Sequence, residues 1–241
     1  MLLKQLGFLL IIINISCSDL ASTTSIDLCV QASAVYVDNS SSTYIVVKSK
    51  FSESCSDSSS SSVALTASDY VEVYQNGSLL GNLVESTTGS GDSTVYSYGY
   101  NVNGSPGDTI ALKYYFSGEL VETAEITIPS SLSFSSLSNS FSINANNVFS
   151  ITAIASDIVQ AQISSTVYDS GASFVFSETG TFSSSSLNFS YSASNQALIS
   201  SSGNCTVVLT ARASSYEFLR FQSSSYFTSS NQLSLTGTVS P

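Results

Sequence analysis

Histidine and tryptophan are both absent from this 241-residue sequence, and charged side chains are scarce. Without histidine, the chain cannot form a Ser-His-Asp triad, a Cys-His nucleophile or a histidine-ligated zinc site. Only 10% of the residues are charged, against about 25% in an ordinary soluble domain. Six basic residues are set against 17 acidic ones, for a net charge of -11. No basic stripe is available for phosphate, so we expect no nucleic-acid partner.

A long apolar run is also lacking, although a short one opens the chain. Lys4 is followed by an apolar run over residues 6–13, and then by the small residues Ser16, Cys17 and Ser18. A membrane-spanning helix needs roughly 20 apolar residues, so this run is too short. A basic start, a short apolar middle and a small-residue end are typical of a secretory signal. We therefore predict a signal peptide over residues 1–18 and an exported mature chain.

The end of this leader contains Asn14-Ile15-Ser16-Cys17, which resembles the lipobox of bacterial lipoproteins. The sequence departs from that pattern at Asn14, where the family usually has leucine. The resemblance implies that Cys17 becomes the first mature residue, carries lipid and anchors the protein in a membrane. Ser18 after the cysteine implies the outer membrane. The alternative is ordinary cleavage after Ser18, which would give a secreted or periplasmic protein.

After the leader, apolar and polar residues alternate with a period of two. Over residues 43–51, for example, Ile45, Val47 and Phe51 share one strand face, while Lys48 and Lys50 share the other. This period indicates half-buried antiparallel strands. The Asn-Gly pair at residues 76 and 77 predicts a tight hairpin turn. No helical period continues over eleven residues, so the sequence predicts an all-β fold.

About seven short strands per hundred residues predict two tandem β-sandwich domains. We place a tether at 19–28, the first sandwich at 29–129, a linker at 130–140 and the second sandwich at 141–241. The segments VEVYQNG at 71–77, PGD at 106–108 and EITIP at 125–129 resemble the immunoglobulin-like modules of bacterial surface proteins. The Cys–Trp–Cys signature of that fold is absent. The resemblance implies antiparallel immunoglobulin-like sandwiches.

Two cysteines flank the first predicted hairpin. Cys29 begins the first strand and Cys55 follows the second, so a turn near residues 38–42 would bring them together. In an oxidising compartment we expect them to form a disulfide, and two free thiols are the alternative. Cys205 is then left over, either as a buried free thiol or in an intermolecular bond.

Carboxylates are the remaining candidates for catalysis or metal binding. Glu119, Glu122 and Glu125 form the only dense acidic set, and a carboxylate pair could hydrolyse glycosides. We favour a solvated strand edge instead, and so predict no catalytic residue. Asp92 and Asp108 are loop acids that could bind calcium, but they lack D-x-D spacing. We therefore expect no metal and no cofactor.

Exposed aromatic rings are the usual platform for sugars. Tyr96, Tyr98 and Tyr100 lie on one face of a predicted strand, where they would either bind carbohydrate or pack in the core. Asparagines in N-x-S/T patterns would matter only in a eukaryotic source; they are Asn39, Asn76, Asn103, Asn188 and Asn204.

The sequence as a whole predicts a non-enzymatic protein of the cell envelope with a binding, adhesion or structural role. Its expected partners are the membrane, through the N-terminal lipid, and a surface protein or glycan. A carbohydrate-binding module that uses the tyrosines is the main alternative, and a carboxylate glycosidase is the weaker one.

Overall fold

The computed structural model describes residues 26–39, 42–56, 61–90, 94–136, 140–144, 147–152, 154–182, 185–199, 201–213 and 215–241. The predicted signal peptide, including Cys17, and most of the predicted tether lie outside these ranges. Within them, no helix is both long enough and apolar enough to cross a membrane.

The described residues form seventeen strands and one short helix. The first ten strands are β1 (Cys29–Asn39), β2 (Ser42–Ser52), β3 (Tyr70–Gln75), β4 (Ser78–Asn82), β5 (Val84–Thr88), β6 (Val95–Val102), β7 (Thr109–Phe116), β8 (Glu119–Thr127), β9 (Phe134–Ser136) and β10 (Ser140–Ser142). The others are β11 (Asn147–Ile151), β12 (Gln160–Tyr168), β13 (Phe174–Phe182), β14 (Ser186–Phe189), β15 (Gly203–Arg212), β16 (Tyr216–Glu217) and β17 (Tyr226–Ser240), with helix α1 (Ala193–Gln196) between β14 and β15. The all-β prediction is confirmed.

These strands form one large sheet and two small ones. The large sheet has ten strands in the order β13-β12-β15-β17-β1-β2-β6-β5, with β10 and β16 also paired to β17. A four-stranded sheet has the order β4-β3-β7-β8, and a three-stranded sheet has the order β14-β11-β9. The large sheet thus takes strands from both halves of the chain.

Strand β17 joins the two halves. One edge of β17 pairs in parallel with β1, from Gln31 opposite Tyr226 to Asp38 opposite Leu233. The other edge pairs antiparallel with β15 and, at its start, with β16. All other pairs in the large sheet are antiparallel except β10 with the end of β17.

Both apolar clusters lie on the same side of the large sheet. Phe227 on β17 belongs to the first cluster, with Val47 of β2 and Leu112 of β7, and Val239 on β17 belongs to the second, with Leu209 of β15. Side chains alternate along a strand, so the odd-numbered residues of β17 point to one side. The four-stranded sheet contributes to the first cluster and the three-stranded sheet to the second. The arrangement is therefore sandwich-like, with two small sheets over one side of a large sheet.

Two polar side chains on β17 hold the chain segment that passes between the clusters. The Ser229 hydroxyl donates to the carbonyl oxygen of Thr127 at 2.7 Å. The Asn231 amide donates to the Pro129 carbonyl oxygen at 3.3 Å and to Ser131 Oγ at 3.0 Å. Ser229 and Asn231 are 1% and 3% exposed, and a buried polar group needs such partners. The crossing segment is therefore fixed to the middle strand of the large sheet.

The predicted hairpin and disulfide are both present. Asn76 and Gly77 have φ values of 50° and 80°, which is the left-handed pair that a type I′ turn requires. Cys29 and Cys55 form a disulfide with their Cα atoms 5.1 Å apart. The predicted inward face of β2 is also observed, since Ile45, Val47 and Phe51 are fully buried.

Candidate functional site

The side of the large sheet opposite the two clusters, here called the outer face, contains an open groove of about 910 Å³. Its floor comes from the outward residues of the parallel pair β1–β17. Gln31 lies opposite Tyr226, Ser33 opposite Thr228 and Val35 opposite Ser230. Because successive residues of a strand point to opposite sides, the residues between them enter the core. The groove therefore follows from the same alternation that forms the first cluster.

Opposite charges lie on the β15–β16 side of the groove. Arg212 lies opposite Ser230 at the end of β15, and Glu217 lies opposite Tyr226 in β16. Both side chains are exposed. They lie four β17 residues apart, or roughly 13 Å along the strand. The rest of the lining is mainly uncharged and hydrogen-bonding, with Gln232, Ser215, Ser224 and Ser225 beside the floor residues.

One end of the groove is closed by the disulfide and the loop formed by residues 218–225. Ser225 Oγ accepts a hydrogen bond from the Val30 amide at 3.0 Å, and lies 3.6 Å from Cys55 Sγ. Gln222 accepts from the Cys55 amide at 3.3 Å and donates to the Glu53 carbonyl oxygen at 2.9 Å. The disulfide and the loop thus support each other and give this end of the groove a defined shape.

Glu122, on the cluster-facing side of β8, binds the same loop. Our prediction that this residue lies on a solvated strand edge is wrong. The side chain is only 5% exposed. Its carboxylate accepts from the Leu219 amide at 2.8 Å, the Arg220 amide at 2.9 Å and the Tyr216 hydroxyl at 3.1 Å. Burial and the nearby Glu122 charge raise the pKa of Tyr216 to about 12, so this phenol stays a donor at neutral pH. Glu119 and Glu125 are both exposed, Glu125 on the opposite side of β8 and Glu119 at the start of the strand, opposite Phe116. The three acids therefore do not share one environment.

The three tyrosines proposed as a sugar platform pack against the first cluster. Tyr98 is 4% exposed, and Tyr96 and Tyr100 are half-buried. Tyr98 Oη donates to Glu85 at 2.8 Å and accepts from the Leu65 amide at 2.6 Å, while Tyr100 Oη donates to the Leu80 carbonyl oxygen at 3.1 Å. Burial is the main cause that raises the pKa of Tyr98 to about 12. These rings form part of the packing rather than an open aromatic surface.

Asp108 and Cys205, two further candidates from the sequence, are held within the fold rather than presented to a ligand. Asp108 accepts from the Asn76 amide, the Gln75 amide and the Ser105 backbone N–H, each at 2.8 Å, so it fastens two turns together. Asp92 lies outside the described residues. Cys205 is a free thiol, 1% exposed, and burial raises its pKa to about 11, which makes it a poor nucleophile. Within the described ranges, no three His, Cys, Asp or Glu side chains are grouped to hold a metal.

The groove was not predicted from the sequence. Its residues come from β1, near the start of the described residues, and from β15, β16 and β17, near their end, and the parallel pairing of β1 with β17 carries no local signal. The sequence indicated a strand that begins at Cys29, but not what would lie beside it. No family model matches the sequence, and no curated protein is significantly similar to it.

Proposed function

We propose that this protein is an exported, non-enzymatic binding protein of the cell envelope that contacts its partner through the outer face. The observation that supports this most is the division of the large sheet into two sides. One side packs against both small sheets, whereas the outer face holds an open groove of about 910 Å³ whose lining residues mostly carry polar side chains. A broad open groove of this kind suits an extended ligand better than a small molecule, which usually needs an enclosed apolar pocket.

The positions of the acids support a non-enzymatic role. Glycoside hydrolysis needs two carboxylates about 5–10 Å apart around one bond. Glu122 accepts three hydrogen bonds from the chain itself, while Glu125 points to the other side of β8 and Glu119 is exposed at the start of the strand. Glu217 is the only carboxylate among the described residues that line the groove.

The finer organisation that we propose is a pair of immunoglobulin-like units, with the first at 29–129, the second at 141–241 and the linker at 130–140. Each unit would have its own apolar cluster, between the large sheet and one small sheet. Phe218 and Phe221, from the second half of the chain, pack in the first cluster. The second unit would therefore contribute this segment to the core of the first.

Lipid anchoring at Cys17 is part of the same proposal and is tested separately. Mass spectrometry of the mature protein from its own cells should show a diacyl-type modification on Cys17. A mature chain that begins at Asp19 would instead indicate a soluble exported protein, and would leave the proposed role of the outer face unaffected.

The proposed contact surface is tested by filling the groove. Ser33→Tyr places a ring on the floor between β2 and β17, whereas Val148→Tyr adds the same ring to an exposed site on β11. Labelled mature protein should bind envelope material, and Ser33→Tyr should bind at least tenfold more weakly while Val148→Tyr binds normally. Equal binding by the two variants, or no saturable binding by the unaltered protein, would overturn the proposal.

A further inference from the structure

The charge of the outer face is opposite to that of the whole chain. Lys48 and Lys50 are outward on β2, opposite Ser33 and Gln31, and Arg212 is outward on β15. These are three of the six basic residues of the chain. Three of the acids on the described strands of the large sheet are at positions that point to the side of the apolar clusters; they are Asp38, Glu85 and Glu178. Glu217 is the only acid on the outer face of these strands.

The three cations flank the groove on both sides. Lys48 and Lys50 border it beyond β1, and Arg212 borders it beyond β17. Strands in a sheet are about 4.8 Å apart, so Lys48 and Arg212 are separated by roughly 15 Å across the groove. Lys48 and Arg212 are exposed, and no hydrogen bond or ion pair occupies these three side chains among the described residues. They are available to an incoming anion.

The floor between the cations has the chemistry of a sugar site. Gln31, Ser33, Thr228, Ser230 and Gln232 offer uncharged donors and acceptors of the kind that bind hydroxyl groups. Tyr226 is 38% exposed, and its ring is a surface on which an apolar sugar face could stack. Three separated cations are fewer than the four to eight clustered ones typical of an anionic membrane site. They are also fewer than the 6–10 phosphate contacts that a nucleic-acid interface makes.

We propose that the outer face binds an acidic polysaccharide, with the groove floor contacting its hydroxyl groups and Lys48, Lys50 and Arg212 pairing with its carboxylate or sulfate groups. This inference rests on the proposed binding role of the outer face and specifies its ligand. In a chain with a net charge of -11, most of the remaining surface repels such a ligand. Charge complementarity would therefore also orient the protein on it.

The test compares one sugar with and without its charge. Oligomers of polygalacturonate should bind the mature protein, and the same oligomers with methyl-esterified carboxylates should bind at least tenfold more weakly. Chondroitin sulfate serves as the sulfated probe. Binding of both charged probes should weaken as salt rises, with a log–log slope no steeper than about -3, because only three cations take part.

The matched variants are Lys48→Gln with Lys50→Gln, and Lys113→Gln as the control. Lys113 is on β7 of the four-stranded sheet, where its ammonium lies 4.7 Å from the centre of the Tyr74 ring. The double variant should lose at least tenfold in affinity for polygalacturonate, and the control should not. Thermal unfolding checks that the variants are folded.

Several outcomes would overturn the inference. Equal binding of the charged and esterified oligomers would show that the cations play no part. Equal or tighter binding to polyglutamate, or to vesicles with 30% phosphatidylserine, would identify an acidic peptide or a membrane as the better ligand. If the groove variant Ser33→Tyr loses envelope binding but neither acidic polysaccharide binds, the ligand class is wrong and the proposed contact surface remains.

Discussion

Glu122 shows how one side chain can couple distant parts of this fold. It is on the inner side of β8, and it binds backbone amides that are 97 and 98 residues away in sequence. A buried carboxylate that accepts several hydrogen bonds stabilises a structure only while all its partners are in place. Glu122 therefore fixes the 218–225 loop, and with it one end of the groove.

Glu122→Gln should destabilise the protein by about 2 kcal/mol, because an amide replaces a carboxylate that accepts charge-assisted hydrogen bonds. Urea unfolding of Glu122→Gln and of the unaltered protein measures this difference in the free energy of unfolding. Glu125→Gln is the control on the exposed side of the same strand, and its effect should stay within about 0.5 kcal/mol. Similar effects for both variants would contradict the structural role given to Glu122.

The sequence predicted a dense acidic set along β8 but not what Glu122 meets there. Strict alternation would place Glu122 on the opposite side from both Glu119 and Glu125, but the register of β7 with β8 shifts between Tyr114 and Tyr115. Glu119 therefore lies opposite Phe116, which packs against the first cluster, and is on the same side of β8 as Glu122. The prediction of solvation was wrong because the covering loop arrives from the other end of the chain. A period of two is a local property, whereas the burial of a polar residue depends on contacts that no local pattern encodes.

The strand β17 was predicted only in part, and its polar residues explain why. Leu233, Leu235 and Val239 alternate with polar residues and glycine, which indicates a strand over 233–239, whereas the structure extends it back to Tyr226. Ser229 and Asn231 occupy inward positions in the missed part, where alternation leads one to expect apolar residues. Ser229 and Asn231 are polar because they hydrogen-bond to the crossing segment. The same two residues interrupt the apolar alternation by which this part of the strand could have been predicted.

Asn231→Ala should cost about 1–2 kcal/mol of unfolding free energy, since it leaves the buried Pro129 carbonyl oxygen without its donor. Differential scanning calorimetry should show a lower melting temperature for this variant. Asn188→Ala on β14, where the side chain is exposed, is the matched control and should change stability little. An unchanged melting temperature for Asn231→Ala would show that the crossing segment is held by other contacts.

The turns at 76–77 and 105–108 form a second connection between elements, and it should depend on pH. The hydrogen bond from Asn76 is the main cause that lowers the pKa of Asp108 below its ordinary value of 3.8. A carboxyl group with a lowered folded-state pKa contributes stability above its unfolded pKa, and loses it as pH falls through the folded value. Asp108→Asn should therefore reduce stability at neutral pH and lessen the loss of stability below about pH 4.

Melting temperatures of the unaltered protein and Asp108→Asn between pH 2.5 and pH 7 check this expectation. The two curves should converge at the acid end. Parallel curves, separated by the same amount at every pH, would mean that the Asp108 charge does not contribute to the acid dependence.

At the scale of the whole molecule, one large sheet has two unlike sides. Its inner side carries both apolar clusters, and its outer face carries a polar groove flanked by three basic side chains. Composition indicated an acidic chain with few cations, but it could not indicate where they lie. The parallel pairing of β1 with β17 brings Lys48, Lys50 and Arg212 to one surface, and it joins residues about 195 positions apart.

The most direct test of the outer face as the contact surface is lysine acetylation of the mature protein, free and bound to envelope material, followed by mass spectrometry. Lys113, on the four-stranded sheet, serves as the internal reference. Binding should reduce the modification of Lys48 and Lys50 at least fivefold and leave that of Lys113 unchanged. Protection of Lys113 with unchanged modification of Lys48 and Lys50 would place the contact on the opposite side of the molecule and contradict the account.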